Sequence, residues 1–294
     1  MPNRTSRRRA LKTLAAGAAL LTLDAAELAA AVKGDGEPPA WKGRINHSVC
    51  RWCFNAIPLE EFCQAVKALN IPAIDLVGPK DWPLLKQYGL YSSMCNGAEI
   101  NLVNGWNHPE YHETLIKNYG EMIPLVGKAG YRNLICFSGN RDGMDDETGL
   151  QNCVAGLQKI MPLAEQHGVV LCMELFNSKV DHKDYMCDKS AWGIELCKRL
   201  GSENFKLLYD IYHMQINEGD IIRTIRDFHP FFAHYHTAGV PGRHEIDDTQ
   251  ELYYPAIMRA IADTGFKGYV AQEFIPVQPD KLETLRKAIE ICDV

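Results

Sequence analysis

Short apolar stretches alternate with longer amphipathic ones from about residue 44 almost to the C-terminus. The short stretches have the length and composition of buried strands, whereas the longer ones repeat apolar residues at helical spacing. The predicted strands span residues 45–54, 73–77, 91–96, 133–138, 169–176, 205–211, 232–237 and 269–274. The predicted helices include residues 59–69, 111–129, 150–166, 191–200 and 254–262.

Glycine marks the end of several predicted helices, at Gly130, Gly168, Gly201 and Gly265. Helices often stop on a glycine because this residue enters the left-handed conformation without steric cost. Eight strand–helix units without a second zone of composition predict an α/β fold, a closed (β/α)8 TIM barrel over residues 44–294. An open doubly wound sheet is the alternative, but no glycine-rich nucleotide loop follows the first strand.

The N-terminal residues 1–31 have the pattern of a targeting segment rather than of a folded element. A basic cluster, SRRRALK, precedes an apolar run over residues 14–23 and three small residues that end at Ala31. This order resembles a twin-arginine export signal, with Ala10 where that motif has phenylalanine. We therefore expect cleavage after Ala31 and a periplasmic protein; a disordered basic tail is the alternative. The apolar run is too short for a permanent membrane span. Residues 32–43 are expected to form a linker.

Charge and cysteine content narrow the class of protein further. Of the 294 residues 46% are hydrophobic, enough for one large core, and the net charge is −6. Residues 1–31 contain five basic and two acidic side chains, so the charge without them is −9. Such an acidic chain repels phosphate backbones, so we expect no nucleic-acid partner. The ten cysteines are scattered and several lie in apolar strands, which predicts buried, unpaired thiols.

Ionisable side chains interrupt the apolar runs near the ends of the last four predicted strands. They are Glu174, Asp210, His236 and Glu273. The active sites of such barrels lie at the C-terminal ends of the strands, so these groups should converge. Buried carboxylates repel one another unless a cation lies between them. Three carboxylates and one imidazole are a hard ligand set, which favours Mn²⁺, Mg²⁺ or Co²⁺ over a closed zinc site.

Five stretches of the barrel region resemble the hydroxypyruvate isomerase group of the xylose isomerase-like TIM barrels, which also contains ketose 3-epimerases. They are NHSVCRWCF, ICFSGNR, MELFNSKVDH, YDIYHMQ and VPGRHE, beginning at residues 46, 135, 173, 209 and 240. The resemblance implies that Glu174, Asp210 and Glu273 bind the metal and that Glu174 and Glu273 also act as acid and base. It implies that His213 and Arg243 bind substrate. At position 236 this chain has histidine, which resembles the ketose 3-epimerases, whereas many hydroxypyruvate isomerases have glutamine there.

Further residues are candidates for the substrate-binding wall. Arg243 lies in a Pro-Gly loop and could hold a substrate carboxylate with its fork of N–H donors, or form a surface pair with Glu245 or Asp247. His213 is expected to begin a loop after the sixth strand and to face the substrate, or to bond only to backbone. Arg51 and Trp52 are candidates for the wall opposite the metal, and His182 is a weaker one.

These residues together predict an isomerase that removes a proton next to a carbonyl and passes through an enediolate. The first hypothesis is conversion of hydroxypyruvate to tartronate semialdehyde, or a close reaction. A ketose 3-epimerase and a keto-sugar lyase or dehydratase are alternatives, and an exported sugar-binding protein is the non-enzymatic one. The expected partner is a small hydroxy-carbonyl or sugar substrate, and a homo-oligomer is left open. A multi-zinc nuclease is disfavoured because the second and third strands supply no histidine.

Overall fold

Eight parallel strands close into one barrel in the computed structural model, which describes residues 38–294. Each strand pairs with the next along the chain, and the last pairs with the first. The strands are β1 Asn46–Cys50, β2 Ala73–Val77, β3 Tyr91–Cys95, β4 Asn133–Cys136, β5 Val170–Glu174, β6 Phe205–Asp210, β7 Phe232–Thr237 and β8 Tyr269–Gln272. The predicted TIM barrel is therefore confirmed.

Helices lie between the strands and cover the outside of the barrel. They are α1 Leu59–Ala68, α2 Trp82–Gln87, α3 His112–Ala129, α4 Asp146–Leu157, α5 Met161–His167, α6 Ser190–Leu200, α7 Ile211–Asn217, α8 Ile221–Phe228, α9 Tyr254–Asp263 and α10 Lys281–Cys292. Short 3-10 turns occupy Arg51–Phe54, Pro109–Tyr111 and His229–Phe231. None of the helices within residues 38–294 is long and apolar enough to cross a membrane.

Several predicted strands are shorter by one to three residues in the structure, and two predicted elements differ more. The first strand ends at Cys50, and the residues expected to continue it form the 3-10 turn Arg51–Phe54. The continuous helix predicted over residues 150–166 is broken into α4 and α5, because Pro162 is at the beginning of α5 and lacks the N–H that a continuing helix needs. Gly130 and Gly168 end their helices in the left-handed conformation, as predicted.

The core is continuous from the barrel interior to the inner faces of the helices. All ten cysteines lie in it as free, buried thiols, which agrees with the expectation from the sequence. The predicted export signal over residues 1–31 lies outside the described residues, as does the first half of the expected linker, residues 32–37. The order of strand, loop and helix brings every strand end to one edge of the barrel, and this edge carries the candidate site.

Candidate metal centre and active site

Four ionisable side chains meet at the C-terminal edge of the barrel. Glu174 and Asp210 are the last residues of β5 and β6, His236 is the fifth residue of β7, and Glu273 directly follows β8. All four are buried, and one ligand atom from each lies within 4.8 Å of the others. The structure thus brings together the four residues predicted from the sequence.

The ring of His236 has carboxylates on both of its nitrogen atoms. Nδ1 lies 2.9 Å from Glu273 Oε2 and 3.3 Å from Glu174 Oε1. Nε2 lies 3.0 Å from Oδ1 of Asp75, a buried residue of β2. Nδ1 is therefore the atom that His236 directs at the other members of the group.

Burial makes this concentration of negative charge unfavourable. It raises the pKa of Asp210 to about 8 and that of Glu174 to about 7, and Glu273 adds to both shifts. Burial alone would also raise the pKa of Glu273, but the positive charges of Arg243 and His236 hold it well below the ordinary value. Further positive charge among the three carboxylates would favour their charged forms.

The donor set fits a divalent cation. Oε1 of Glu174 is buried and has no hydrogen-bond partner within residues 38–294. Burial alone would lower the pKa of His236, but Cys50, Glu273 and Asp75 beside the ring raise it well above the ordinary value. A bound cation would compete with a second ring proton for Nδ1. Glu174, Asp210, His236 and Glu273 would hold that cation, and the carboxylate oxygens favour a hard metal ion.

Arg243 is part of the site and not of the protein surface. Its guanidinium pairs with Oε2 of Glu273 and lies 3.6 Å from Oδ2 of Asp210. It also packs against the rings of Trp52 and Tyr212, at 5.2 and 5.4 Å from their centres. The alternative of a surface pair with nearby acidic side chains is therefore wrong.

A cavity of about 480 Å³ opens above the group. Its lining includes Glu174, Glu273, Arg243, Trp52, His182, Asn96, Glu99, Asn101, Leu76, Ile100, Leu102, Ile135, Phe137 and Phe176. The polar residues of this lining include the charged groups of the metal site and, in the segment after β3, Asn96, Glu99 and Asn101. This combination can orient a small polar molecule and keep bulk water from it.

The substrate-binding candidates divide into two groups. Trp52 and His182 line the cavity: the indole Nε1–H of Trp52 donates to Oε1 of Glu273 at 2.7 Å, and the ring of His182 stacks on Phe176. The structure does not bring Arg51 there. The guanidinium of Arg51 instead donates to the carbonyl oxygens of Phe54 and Ile57, at 2.7 and 2.8 Å.

His213 lies in helix α7 and not in a loop as expected. Asp210 is the N-cap of that helix, and its Oδ1 accepts a hydrogen bond from the backbone N–H of His213. The ring Nδ1 of His213 lies 2.6 Å from Nδ2 of Asn177, so the ring proton is on Nε2, 3.6 Å from Oδ2 of Asp210. His213 is therefore fully buried behind Asp210, and the residues that line the cavity do not include it.

Asp75 is not among the residues predicted from the sequence, and it contacts the metal group from below. Its carboxylate lies 3.0 Å from Nε2 of His236 and 2.8 Å from Nε2 of His234. Burial alone would raise the pKa of Asp75, but the two histidines lower it below the ordinary value. A carboxylate within an apolar strand is the signal that identified the other members, and it could have identified Asp75 too.

Residues 82–292 match the family model described as xylose isomerase-like TIM barrel, more than half of the chain. The chain belongs to this family. Among solved structures, the barrel resembles an AP endonuclease, family 2, from Brucella melitensis, with a TM-score of 0.73 and 22% identity over 82% of this chain and 97% of that one. At that identity the likeness shows the fold alone.

Two curated relatives have names that state an activity. The chain is 34% identical over 113 residues to a 2-oxo-tetronate isomerase of Cupriavidus necator, covering 38% of this chain and 43% of the relative. It is 32% identical over 111 residues to a putative hydroxypyruvate isomerase of Homo sapiens, covering 38% of this chain and 40% of the relative. The matches thus span about two fifths of the length of these relatives.

Proposed function

We propose that this protein is a divalent-metal-dependent isomerase that moves a proton beside a carbonyl group, with hydroxypyruvate or a close 2-oxo acid as substrate. The observation that carries the proposal is the pair Glu174 and Glu273. Both line the same cavity, both lie next to His236 Nδ1, and their pKa values are shifted in opposite directions.

Two carboxyl groups of different acidity are what an intramolecular proton transfer needs. One carboxylate takes the proton from the carbon next to the carbonyl, and the electrons of the broken C–H bond form the enediolate. The other carboxyl group gives a proton to the former carbonyl carbon, and the hydroxyl proton moves from the oxygen of the first carbon to the enediolate oxygen, which completes the isomerisation. Acid–base assistance of this kind contributes about 10²–10⁴-fold to a rate.

A bound divalent cation supplies Lewis-acid stabilisation of the oxygen on which negative charge develops. The protein itself keeps the two glutamates that transfer the proton in a defined position. Glu273 is fixed from two sides, by the indole N–H of Trp52 and by the guanidinium of Arg243. Apolar side chains in the cavity lining, such as those of Ile100, Leu102 and Phe137, would limit the access of water, which would otherwise compete for the transferred proton.

The substrate class follows from the cationic group at the cavity and from the relatives. Arg243 lines the cavity with a planar fork of N–H donors, the geometry that recognises a carboxylate. Both relatives described above are named as isomerases of 2-oxo acids. A ketose 3-epimerase is the second candidate, and His236 favours it because this position resembles those enzymes in the sequence.

The deciding experiment incubates the metal-loaded protein in D₂O with hydroxypyruvate, with a simple ketose and with a 3-keto-glycoside. We expect deuterium next to the carbonyl of hydroxypyruvate and the appearance of tartronate semialdehyde, both measured by NMR. Exchange of the ketose alone, with formation of its epimer, would assign the epimerase instead. No exchange in any of the three would exclude proton abstraction as the reaction.

We also propose that the chain is exported to the periplasm through the signal over residues 1–31. The support is the sequence pattern described above, in which Arg7 and Arg8 occupy the paired-arginine positions. Replacement of both by lysine should retain the unprocessed chain in the cytoplasm, as detected by fractionation and immunoblotting. Unchanged export of the double variant would exclude this route.

A further inference from the structure

A second buried cluster lies beneath the metal group, inside the barrel. The carboxylate of Asp75 is its centre. Oδ1 is close to Nε2 of His236 and to the thiol of Cys50, at 3.0 and 3.4 Å. Oδ2 is close to Nε2 of His234 and accepts from the hydroxyl of Ser93, at 2.8 and 2.7 Å. Each oxygen of this carboxylate therefore has two close polar neighbours, of which Nε2 of His234 makes no hydrogen bond of regular geometry.

We propose that Asp75 is a positioning residue that keeps the ring proton of His236 on Nε2 and thereby leaves the Nδ1 lone pair for the metal ion. A neutral imidazole has one N–H and one lone pair, so the partner of one nitrogen decides the role of the other. A carboxylate can only accept, and it therefore requires an N–H at Nε2. Carboxylate–histidine–metal arrangements of this kind fix both the tautomer and the ring orientation.

The local fold of β2 directs Asp75 inwards. Asp75 is the third of the five residues in β2, and the pairing of β2 with β3 shifts register on both sides of it. The next residue, Leu76, has a φ of 55°, in the left-handed region that a β-strand residue normally avoids. Irregular pairing of this type changes the direction of side chains next to functional sites. The strained backbone is consistent with a position that must present one particular side chain.

The contact between Asp75 and His236 is a hydrogen bond. Oδ1 of Asp75 lies 3.0 Å from Nε2 of His236, an ordinary N–H···O length, whereas Nε2 of His234, at 2.8 Å from Oδ2, makes no hydrogen bond of regular geometry within residues 38–294. The hydroxyl of Ser93 continues the cluster to that of Ser48, 2.6 Å away. These contacts hold the carboxylate in place, so that His236 cannot rotate without breaking them.

The variant Asp75→Asn has nearly the same shape but replaces the charged acceptor by a neutral amide. With its amide group toward His236, it would draw the ring proton to Nδ1 and block metal binding. With its oxygen toward His236, it would hold the Nε2 proton less strongly. We expect Mn²⁺ affinity to fall about 10–100-fold, which is the usual effect of losing such a partner.

The matched control is Ser93→Ala. It removes a hydrogen bond to Oδ2 of the same carboxylate but leaves the contact between Oδ1 and His236 in place. Its Mn²⁺ affinity should stay within about threefold of the wild type. Both affinities are measured by electron paramagnetic resonance of free Mn²⁺, on protein whose folded fraction is known from circular dichroism. Wild-type affinity in folded Asp75→Asn would overturn the proposal.

A second measurement needs no variant and covers the case in which Asp75→Asn fails to fold. In zinc-loaded wild-type protein with ¹⁵N-labelled histidine, NMR should show His236 bound through Nδ1 and protonated at Nε2. Zinc on Nε2, or two ions per chain, would overturn the proposal. The inference rests on the metal site of the proposed function, but neither measurement uses a substrate. Loss of metal binding in wild type would therefore reject the metal site itself, whereas equal binding in both proteins would reject only the role of Asp75.

Discussion

The two halves of the barrel supply different kinds of groups to the site. Strands β5–β8 each supply one member of the metal group, and these members lie at or next to the strand ends. Strands β1–β3 supply Cys50, Asp75 and Ser93, which contact one another in the barrel interior and leave the cavity to other residues. The second half carries the groups that would react, and the first half supports them.

Position along the strand explains the difference. A carboxylate at the last residue of a strand, such as Glu174, reaches the cavity, whereas Asp75 in the middle of β2 lies one layer deeper. His236 is the fifth of six residues in β7 and contacts both layers through its two ring nitrogens. In this barrel, a buried acidic residue at the end of a strand can bind the metal ion, whereas one in the middle of a strand contacts a residue of the metal group.

The different roles of the two barrel halves would be contradicted most clearly if the strand-end glutamates were not needed for turnover. Replacement of Glu174 by Gln keeps an oxygen that can bind metal but removes a proton carrier. We expect kcat to fall about 10²–10⁴-fold, with Mn²⁺ affinity changed far less. Glu245→Gln is the matched control, because that buried glutamate accepts only from the backbone N–H groups of Val277 and Gln278. Retained turnover in Glu174→Gln would contradict the role of this residue.

Removal of the metal should give the next largest effect. Dialysis against EDTA should lower kcat about 10³-fold, since Lewis-acid stabilisation is worth several kcal/mol. Addition of Mn²⁺, Mg²⁺ or Co²⁺ should restore activity. At a hundredfold excess over its dissociation constant the ion should also stabilise the folded protein by about 2.7 kcal/mol, measurable as a rise in Tm. Full activity in the chelated protein would show that the group needs no cation.

Two variants of Asp210 separate its role as a metal ligand from its role in the fold. Both Asp210→Asn and Asp210→Ala remove the charge and should weaken metal binding. Only asparagine can still accept the hydrogen bond from the N–H of His213 that begins α7. Alanine should therefore be less stable than asparagine by about 1 kcal/mol in urea unfolding without metal. Equal stabilities would mean that the cap contributes nothing to α7.

The smallest effect on activity is expected at Arg51, which tests whether the first half of the barrel only supports the site. Arg51→Lys keeps the charge but cannot reach both carbonyl oxygens with a planar fork. It should cost about 1 kcal/mol of stability and leave kcat/KM within about twofold. The matched change Arg243→Lys should lower kcat/KM by at least about tenfold. A large loss of kcat/KM in Arg51→Lys would place Arg51 at the substrate after all.

Much of the fold and of the metal group could be predicted because both depend on local pattern and strand order. The bounds of β2, β7 and α3 follow from short apolar runs and from a glycine stop, and the structure departs little from them. The break between α4 and α5 was missed because the apolar spacing continues across it. The local sequence marks Asp75 as a carboxylate within an apolar strand, but it does not reveal the irregular pairing that places this residue beneath His236.

The barrel and the meeting of Glu174, Asp210, His236 and Glu273 follow from the order of the strands along the chain, because consecutive parallel strands bring their ends to one edge. The contacts of the neighbouring side chains depend on the three-dimensional packing. It turned Arg51 toward backbone carbonyls, buried His213 behind Asp210 and paired Arg243 with Glu273. Such outcomes depend on side-chain direction and on contacts between residues distant in sequence, and no spacing along the chain encodes these directly.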